Sequence, residues 1–273
     1  MSAHSFLKCP GGKNQLQPQI ADLLRPHLTG GVSYHEPFLG GGAILWAVLA
    51  EGFLGKSFGS DTNRDFISAY QGVQKDPRGL IERLRVHKRR HSESYYYKVR
   101  ADSPRALLDR AARTIYLNKT GFNGLYRVNK AGKFNVPFGR YDSPAILDAE
   151  NLHACALALR NVTIRCMDFE EALKDVVTGD VVYLDPPYFP VSKTARFTSF
   201  TKEGFTTKDQ ERLASAFVRL SRLGAKLVLS NADVPEARAL YEGFSIRSVQ
   251  ARRAVNSDGA GRGRVPEIVV TNF

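Results

Sequence analysis

The residues Asp185-Pro186-Pro187-Tyr188 follow an apolar run at positions 181–184 that is typical of a buried strand. Polar groups at the carboxyl end of such a strand are where an α/β sheet usually binds its ligands. Two successive prolines stiffen the turn, so a carboxylate, a carbonyl and an aromatic ring can face one point. This set suits an exocyclic amino group on a planar base. A simple strand-terminating turn is the alternative, because Asp-Pro followed by Pro is also a turn signal.

A glycine-rich turn follows an earlier strand-like run, at residues 36–42 with the sequence EPFLGGG. The glycines let the backbone approach a ligand closely, and Glu36 supplies a carboxylate. Asp61 follows at the end of the next strand-like run. An acid about twenty residues beyond such a turn can accept both hydroxyls of a ribose, which indicates an adenosine-bearing cofactor. A tight structural turn and a surface N-cap aspartate are the alternatives.

A third acid, Asp168, comes after the strand-like run at residues 162–166 and is followed by Phe169. A hydrogen-bond acceptor beside an aromatic ring could hold the amino group and the face of a purine. The alternative is a helix cap followed by a core phenylalanine.

Composition narrows the class of partner. The 273 residues carry a net charge of +12 with a pI of about 9.7, which indicates a ligand that carries phosphates. The three cysteines, Cys9, Cys155 and Cys166, are too widely spaced for a disulfide framework or a metal site. Neither a signal segment nor a membrane span is evident, so we expect a cytoplasmic protein.

Short strand-like runs recur before polar or glycine-rich loops. They lie at residues 32–35, 57–60, 162–166, 181–184, 226–230, 246–249 and 268–271. Helical patterns separate several of them, which predicts parallel crossover units and a doubly wound α/β core. The alternation of strand-like and helical patterns is absent between residues 64 and 149, where basic helical stretches are followed by a loop-rich segment. We therefore expect a core built from residues 1–63 and 150–273 and an inserted domain at 64–149.

In this order, the elements resemble the DNA adenine methyltransferases of the Dam type, the alpha group of the D12 class, which transfer a methyl group from S-adenosylmethionine to adenine N6. The matching motifs lie at residues 6–13 (FLKCPGGK), 36–42, 61, 185–188, 192–197 (SKTARF), 230–231 and in a basic loop at 252–264. The resemblance implies a seven-stranded, Rossmann-like methyltransferase sheet with an inserted helical and hairpin domain that recognises the DNA target.

The resemblance also implies two sets of site residues. The catalytic set is Asp185, Pro186, Pro187 and Tyr188. The residues implied to bind S-adenosylmethionine are Cys9, Lys13, Glu36, Phe38, Gly40, Gly42, Asp61, Asp168, Phe169 and Asp185. Many relatives carry Trp-Ala where this chain has Cys9-Pro10. We therefore expect that an aromatic wall against the cofactor is missing and that Cys9 contacts the cofactor through its backbone.

Residues 118–141, here called the recognition hairpin, mix basic, amide and aromatic side chains around glycine turns. Such a segment can read base edges while its cations hold phosphates. It resembles the target-recognition hairpin of Dam-type enzymes that act on GATC. By that resemblance Arg127 reads a guanine, Leu125 contacts a base, Phe122 fills the space left by an extruded adenine and Arg140 holds a phosphate. The other residues implied to face DNA are Lys8, Asn123, Asn135, Pro137 and Tyr141.

The resulting hypothesis is a site-specific methyltransferase that flips adenine out of duplex DNA. We expect it to associate with the nucleoid through DNA and to need no metal ion, membrane association or obligatory protein partner. Two alternatives stay open. A catalytically inactive DNA-binding regulator would share the basic insertion, and a methyltransferase acting on RNA or protein would share the core fold. Whether the enzyme is solitary or accompanies a restriction endonuclease also stays open.

Overall fold

The computed structural model describes residues 3–8, 16–129, 131–189, 204–252 and 264–273, which form ten α-helices and seven β-strands. The strands are β1 (Tyr34–Glu36), β2 (Ser57–Asp61), β3 (Val162–Cys166), β4 (Val181–Leu184), β5 (Lys226–Ala232), β6 (Ser245–Arg252) and β7 (Arg264–Thr271). The helices are α1 (Gln17–Leu24), α2 (Ala43–Ala50), α3 (Arg64–Lys75), α4 (Pro77–Arg90), α5 (Glu93–Ala101), α6 (Leu107–Thr120), α7 (Ala149–Ala158), α8 (Phe169–Ala172), α9 (Thr207–Leu223) and α10 (Pro235–Leu240).

The strands form one sheet in the order β3-β2-β1-β4-β5-β7-β6. The first five strands are parallel, whereas β7 runs antiparallel to both β5 and β6. The predicted seven-stranded, Rossmann-like sheet is confirmed. After β1 the chain turns toward β2, and after β4 it turns toward β5. The connections therefore diverge between β1 and β4, and a crevice for ligands is expected outside the carboxyl ends of these two strands.

Strand β4 and helix α9 show why this part of the sequence folds as it does. All four residues of β4 are buried, as expected for a parallel strand covered on both faces. Helix α9 begins with a capping box between Thr206 and Asp209 and ends at Gly224, whose φ of 93° favours glycine. The apolar face of α9, including Phe217, packs into the same hydrophobic cluster as Leu184.

Residues 64–149 form helices α3 to α6 and the recognition hairpin. The hairpin is pinned to the helices, because the Tyr96 hydroxyl donates to the backbone oxygen of Val136 (3.0 Å) and the Tyr126 hydroxyl donates to Asp65 (3.0 Å). Phe66 of α3 belongs to the same hydrophobic cluster as the sheet residue Tyr34. The predicted domain boundaries stay a prediction. No helix in the described parts of the chain is long and apolar enough to cross a membrane.

Candidate active site and recognition hairpin

Carboxylates lie at the carboxyl ends of four neighbouring parallel strands. Glu36 ends β1, Asp61 ends β2, Asp168 follows β3 and Asp185 follows β4. Because β3, β2, β1 and β4 are adjacent in the sheet, all four acids share one edge. Carboxylates are acceptors when ionised, so this edge suits a ligand that presents hydroxyl, amino or cationic groups. Within the described ranges, no group of three or more His, Cys, Asp or Glu residues could hold a metal ion.

Glu36 is buried and accepts a hydrogen bond from the Tyr34 hydroxyl at 2.7 Å. Burial raises the pKa of Glu36 to about 8, and the nearby charge of Asp185 adds to the rise, whereas the bond from Tyr34 opposes it. A cation brought to this edge would stabilise the ionised form.

Asp61 ties the glycine-rich turn to the end of β2. Its two carboxylate oxygens accept the backbone N–H groups of Gly40 (2.9 Å) and Asn63 (2.8 Å). Burial raises the pKa of Asp61, and these backbone hydrogen bonds oppose the rise. Gly42 has a φ of 66°, and a Cβ there would lie 2.5 Å from the Tyr70 hydroxyl oxygen, so the position requires glycine. Each Asp61 oxygen has a second lone pair that could accept a ligand hydroxyl.

Asp168 and Phe169 begin helix α8 and are held by a residue that the sequence analysis missed. The Asp168 side chain caps the helix through the Glu170 N–H (3.0 Å) and forms an ion pair with Arg212 of α9 (2.8 Å). The Arg212 guanidinium also lies 4.9 Å from the centroid of the Phe169 ring. Phe169 is 2% exposed and stacks on Phe38 at 5.3 Å, and Phe38 is the less buried of the two rings.

The tetrapeptide at residues 185–188 and the following Phe189 form a loop after β4, here called the tetrapeptide loop. These five residues have neither helical nor strand structure. The Tyr188 hydroxyl donates to Glu267 of β7 at 2.8 Å. The Pro187 carbonyl accepts from the side-chain amide of Gln210 in α9 at 2.8 Å. Neither Glu267 nor Gln210 is among the site residues predicted from the sequence. In each case the sequence carries one signal for a buried polar contact, which is a polar residue among apolar ones. Gln210 lies in the apolar face of α9, and Glu267 lies in the apolar run of β7.

The predicted guanine reader lies on the exposed part of the recognition hairpin. Arg127 Nε donates to the Asn135 side-chain oxygen at 2.8 Å, and the Asn135 N–H donates to the Arg127 carbonyl at 3.0 Å. Phe122 is 48% exposed, and Arg140 is exposed with a φ of 50°. Asn123 is exposed next to Phe122, with a φ of 52°.

The N-terminal segment is fastened to the base of this hairpin. The Lys8 N–H donates to the Asn118 side chain (2.7 Å), whose amide donates back to the Lys8 carbonyl (2.7 Å). The Lys8 ammonium lies 4.5 Å from the centre of the Tyr141 ring. Of the other predicted contacts, Leu125 is half-buried and Pro137 is exposed. Predicted positions that lie outside the described residues are Cys9, Lys13, residues 192–197 and residues 253–263 of the late basic loop.

A mostly parallel sheet whose switch point is lined by acids is typical of α/β enzymes that bind nucleotides, and a basic hairpin that is open to solvent is typical of proteins that bind nucleic acids. The family model of the D12 class N6 adenine-specific DNA methyltransferases matches residues 10–255. This chain belongs to that family. The resemblance seen in the sequence is thereby confirmed, and the protein is an adenine-specific DNA methyltransferase.

Individual relatives are similar over nearly the whole chain. The type II methyltransferase M1.LlaDCHI of Lactococcus lactis subsp. cremoris is 40% identical over 98% of this chain and 95% of its own length. The type II methyltransferase M.MjaIII of Methanocaldococcus jannaschii is 42% identical over the full length of both chains. A DNA adenine methylase of Vibrio cholerae is 34% identical over 97% of this chain and 94% of its own length.

Proposed function

We propose that this enzyme uses S-adenosylmethionine to methylate adenine N6 within GATC in duplex DNA, after flipping the adenine into the crevice beside β4. The observation that carries the proposal is the tetrapeptide loop, which leaves the sheet at the same edge as Glu36 and Asp61. Amino-group acceptors and cofactor acceptors are thus neighbours, as methyl transfer between two bound molecules requires.

The tetrapeptide loop prepares the adenine amino group for attack. The N6 lone pair is delocalised into the purine ring, so the group is a weak nucleophile. The Asp185 side chain and the Pro186 carbonyl accept its two hydrogens, which localises the lone pair, and Tyr188 stacks on the ring. Most of the acceleration comes from this positioning and from acceptors that are fixed in advance. An adenine inside a duplex cannot reach these groups, which is why we propose flipping.

The acidic edge fits S-adenosylmethionine, which supplies an electrophilic methyl group on a sulfonium when bound. Asp61 accepts the ribose hydroxyls through the lone pairs that Gly40 and Asn63 leave. Glu36 balances the positive charge, and Asp168 accepts from the adenine amino group. The ring of Phe38 packs against the purine, with Phe169 behind it. Cys9 and Lys13 complete the set as predictions from the sequence.

The recognition hairpin supplies the contacts to DNA. Asn135 restrains Arg127 by accepting from its Nε at 2.8 Å and from its Nη2 at 3.4 Å, which leaves Nη1 to donate to the edge of a guanine. Phe122 is an exposed aromatic residue of the same hairpin, and its ring is suited to fill the space that the flipped adenine leaves in the DNA base stack. Arg140 and Lys8 hold phosphates without reading sequence. The net charge of +12 agrees with a phosphate-bearing partner.

The function is tested by incubating an unmethylated plasmid with the enzyme and S-adenosylmethionine, then digesting it with endonucleases that are sensitive or insensitive to adenine methylation at GATC. We expect protection only from the sensitive enzyme. Duplexes with every single-base change in GATC, assayed at fixed salt, then define the site. Methylation of another sequence would refute GATC alone. A lack of methyl incorporation into any DNA would favour the inactive regulator.

A further inference from the structure

The tetrapeptide loop lacks regular secondary structure, so side chains from elsewhere fix its geometry. Tyr188 is bonded to Glu267 of β7, Pro187 to Gln210 of α9, and the Phe189 N–H donates to the Asn231 side chain of β5 at 3.3 Å. These partners lie 79, 23 and 42 positions away in the sequence. Three separate elements therefore converge on a loop of five residues.

The partners are polar residues at positions where an apolar side chain would normally pack. Gln210 is 2% exposed, Asn231 is fully buried and Glu267 is 7% exposed. Burying an amide or a carboxylate costs free energy unless its hydrogen bonds are satisfied. Gln210 meets this requirement from both ends, because its amide nitrogen donates to Pro187 and its oxygen accepts from Asn231 at 3.1 Å. The loop is thus one end of a buried hydrogen-bond network.

The hydrogen bonds to Pro187 and Tyr188 restrain the two parts of the loop that are proposed to position the adenine for methyl transfer. The Pro187 carbonyl lies one peptide beyond the Pro186 carbonyl, so a bond to Pro187 restrains the peptide planes that aim the Pro186 acceptor. The Tyr188 ring is tethered at its hydroxyl, which restricts the swing of the side chain about χ1 and holds its plane. A stacking ring held in one plane orients the flipped base, and small errors of placement reduce turnover strongly.

We propose that Glu267 and Gln210 are positioning residues for methyl transfer, Glu267 by fixing the ring of Tyr188 and Gln210 by fixing the backbone at Pro187. The inference rests on the proposed catalytic role of the tetrapeptide. Because both residues act through the tetrapeptide loop in this proposal, their loss should lower kcat while leaving the KM for DNA nearly unchanged. A role in folding alone would instead reduce the fraction of active enzyme and leave kcat per active site intact.

A double-mutant cycle tests the first part, with single-turnover rates for the wild type, Tyr188→Phe, Glu267→Ala and the double variant, normalised to active sites. Glu267→Ala should lower the rate about 10-fold in the wild type but less than about 2-fold in Tyr188→Phe, where the hydroxyl is already absent. Glu267→Gln keeps an acceptor oxygen and should recover most of the rate. An equal loss in both backgrounds would overturn the role of Glu267.

Gln210→Glu tests the second part, because it keeps the side-chain size and removes the donor to Pro187. The matched control is Gln71→Glu, since Gln71 of α3 also donates its amide to a backbone carbonyl, that of Ile164, at 3.0 Å. We expect Gln210→Glu to lower kcat about 10-fold and Gln71→Glu to keep it within about 2-fold. Equal kcat values for the two variants would overturn the role of Gln210.

Failure of the inference and failure of the proposed function are distinguishable by Tyr188→Ala, which removes the stacking ring itself. If Tyr188→Ala turns over like the wild type, the proposed catalytic role of the loop is wrong. If Tyr188→Ala is severely impaired but the Glu267 variants show no coupling to Tyr188, only the positioning role is wrong.

Discussion

The tetrapeptide loop and the recognition hairpin are built in opposite ways. The loop is held by buried side chains, such as Gln210 at 2% exposure, whereas the hairpin presents side chains such as Phe122 at 48% exposure. A reaction centre needs a fixed geometry, and a DNA reader needs side chains that reach into a groove. We therefore expect substitutions around the loop to slow methylation of every sequence, and substitutions on the hairpin to change which sequence is methylated.

The two regions also differ in charge. The sheet edge carries carboxylates, among them Glu36 and Asp61. The hairpin carries Arg127 and Arg140, and the N-terminal segment bonded to its base carries Lys8. An acidic edge favours a cationic cofactor, and a basic surface favours phosphates. In the proposed function the two ligands are bound by these two separate regions, so a variant in one region should leave the affinity for the other ligand nearly unchanged.

The largest effect is expected for Asp185→Ala, which removes the proposed acceptor of the adenine amino group. Turnover should fall by about 10³-fold or more, because preset acceptors supply much of the acceleration. The affinity for duplex DNA should stay within about 2-fold, since the hairpin is intact. Methyl incorporation and electrophoretic mobility shift would be measured on the same preparation. Near-normal turnover would show that the loop is not the reaction centre.

A smaller effect is expected for Asp61→Ala, measured by calorimetry with S-adenosylmethionine. The change leaves the Gly40 and Asn63 N–H groups without their acceptor and removes the proposed partner of the ribose hydroxyls. The affinity should fall by roughly 1–3 kcal/mol. Asp61→Asn keeps one acceptor oxygen and should lose less. An unchanged affinity in Asp61→Ala would remove this residue from the cofactor site.

The sequence predicted the local part of this design well and the long-range part poorly. The strands at residues 162–166 and 181–184 are confirmed at their predicted ends, because a short apolar run before a polar loop is a local signal. The first strand lies later than predicted, at Tyr34–Glu36, so Glu36 ends the strand rather than following it. The acids were predictable because each lies at or just after the carboxyl end of a strand.

The contacts that hold the acids and the tetrapeptide loop could not be predicted in the same way. The bonds from Gln210 to Pro187 and from Tyr188 to Glu267 join different elements, and their pairing depends on how α9 and β7 pack on the sheet. A polar residue in an apolar face indicates that it has a buried hydrogen-bond partner, but it does not indicate which residue that partner is. By contrast, Arg127 and Asn135 face each other across one hairpin, eight positions apart, and both were singled out by the resemblance to the family's recognition hairpin.

On the hairpin, Arg127→Ala should change specificity rather than rate. The loss of one guanine contact should cost about 1–3 kcal/mol of discrimination at a single base pair. The control is Arg140→Ala, which should weaken binding to all sequences alike and reduce the salt dependence of affinity. Methylation rates on GATC and its single-base variants, at fixed salt, compare the two variants. An Arg127→Ala enzyme with the wild-type base preference would exclude Arg127 as a reader.

The smallest effect is expected at the acidic edge, as a pH dependence of cofactor affinity through Glu36. Burial raises the pKa of Glu36 to about 8, and the facing groups are Asp185, whose charge adds to the rise, and the hydroxyls of Tyr34 and Tyr183, which burial keeps neutral. The free enzyme is therefore mostly protonated at Glu36 at neutral pH. A cationic ligand favours the carboxylate, so binding releases a proton.

Affinity should consequently rise by at most about tenfold per pH unit up to about pH 8 and then level off, because the carboxylate is already formed above its pKa. The α-amino group of the ligand titrates near the same range, so Glu36→Gln supplies the baseline. Calorimetry at several pH values, in buffers of different ionisation enthalpy, separates the released proton from the heat of binding. The same pH profile in Glu36→Gln and the wild type would show that Glu36 is not coupled to the charge of the cofactor. The contrast between an acidic cofactor edge and a basic DNA surface would then rest on the other three acids of the edge, Asp61, Asp168 and Asp185.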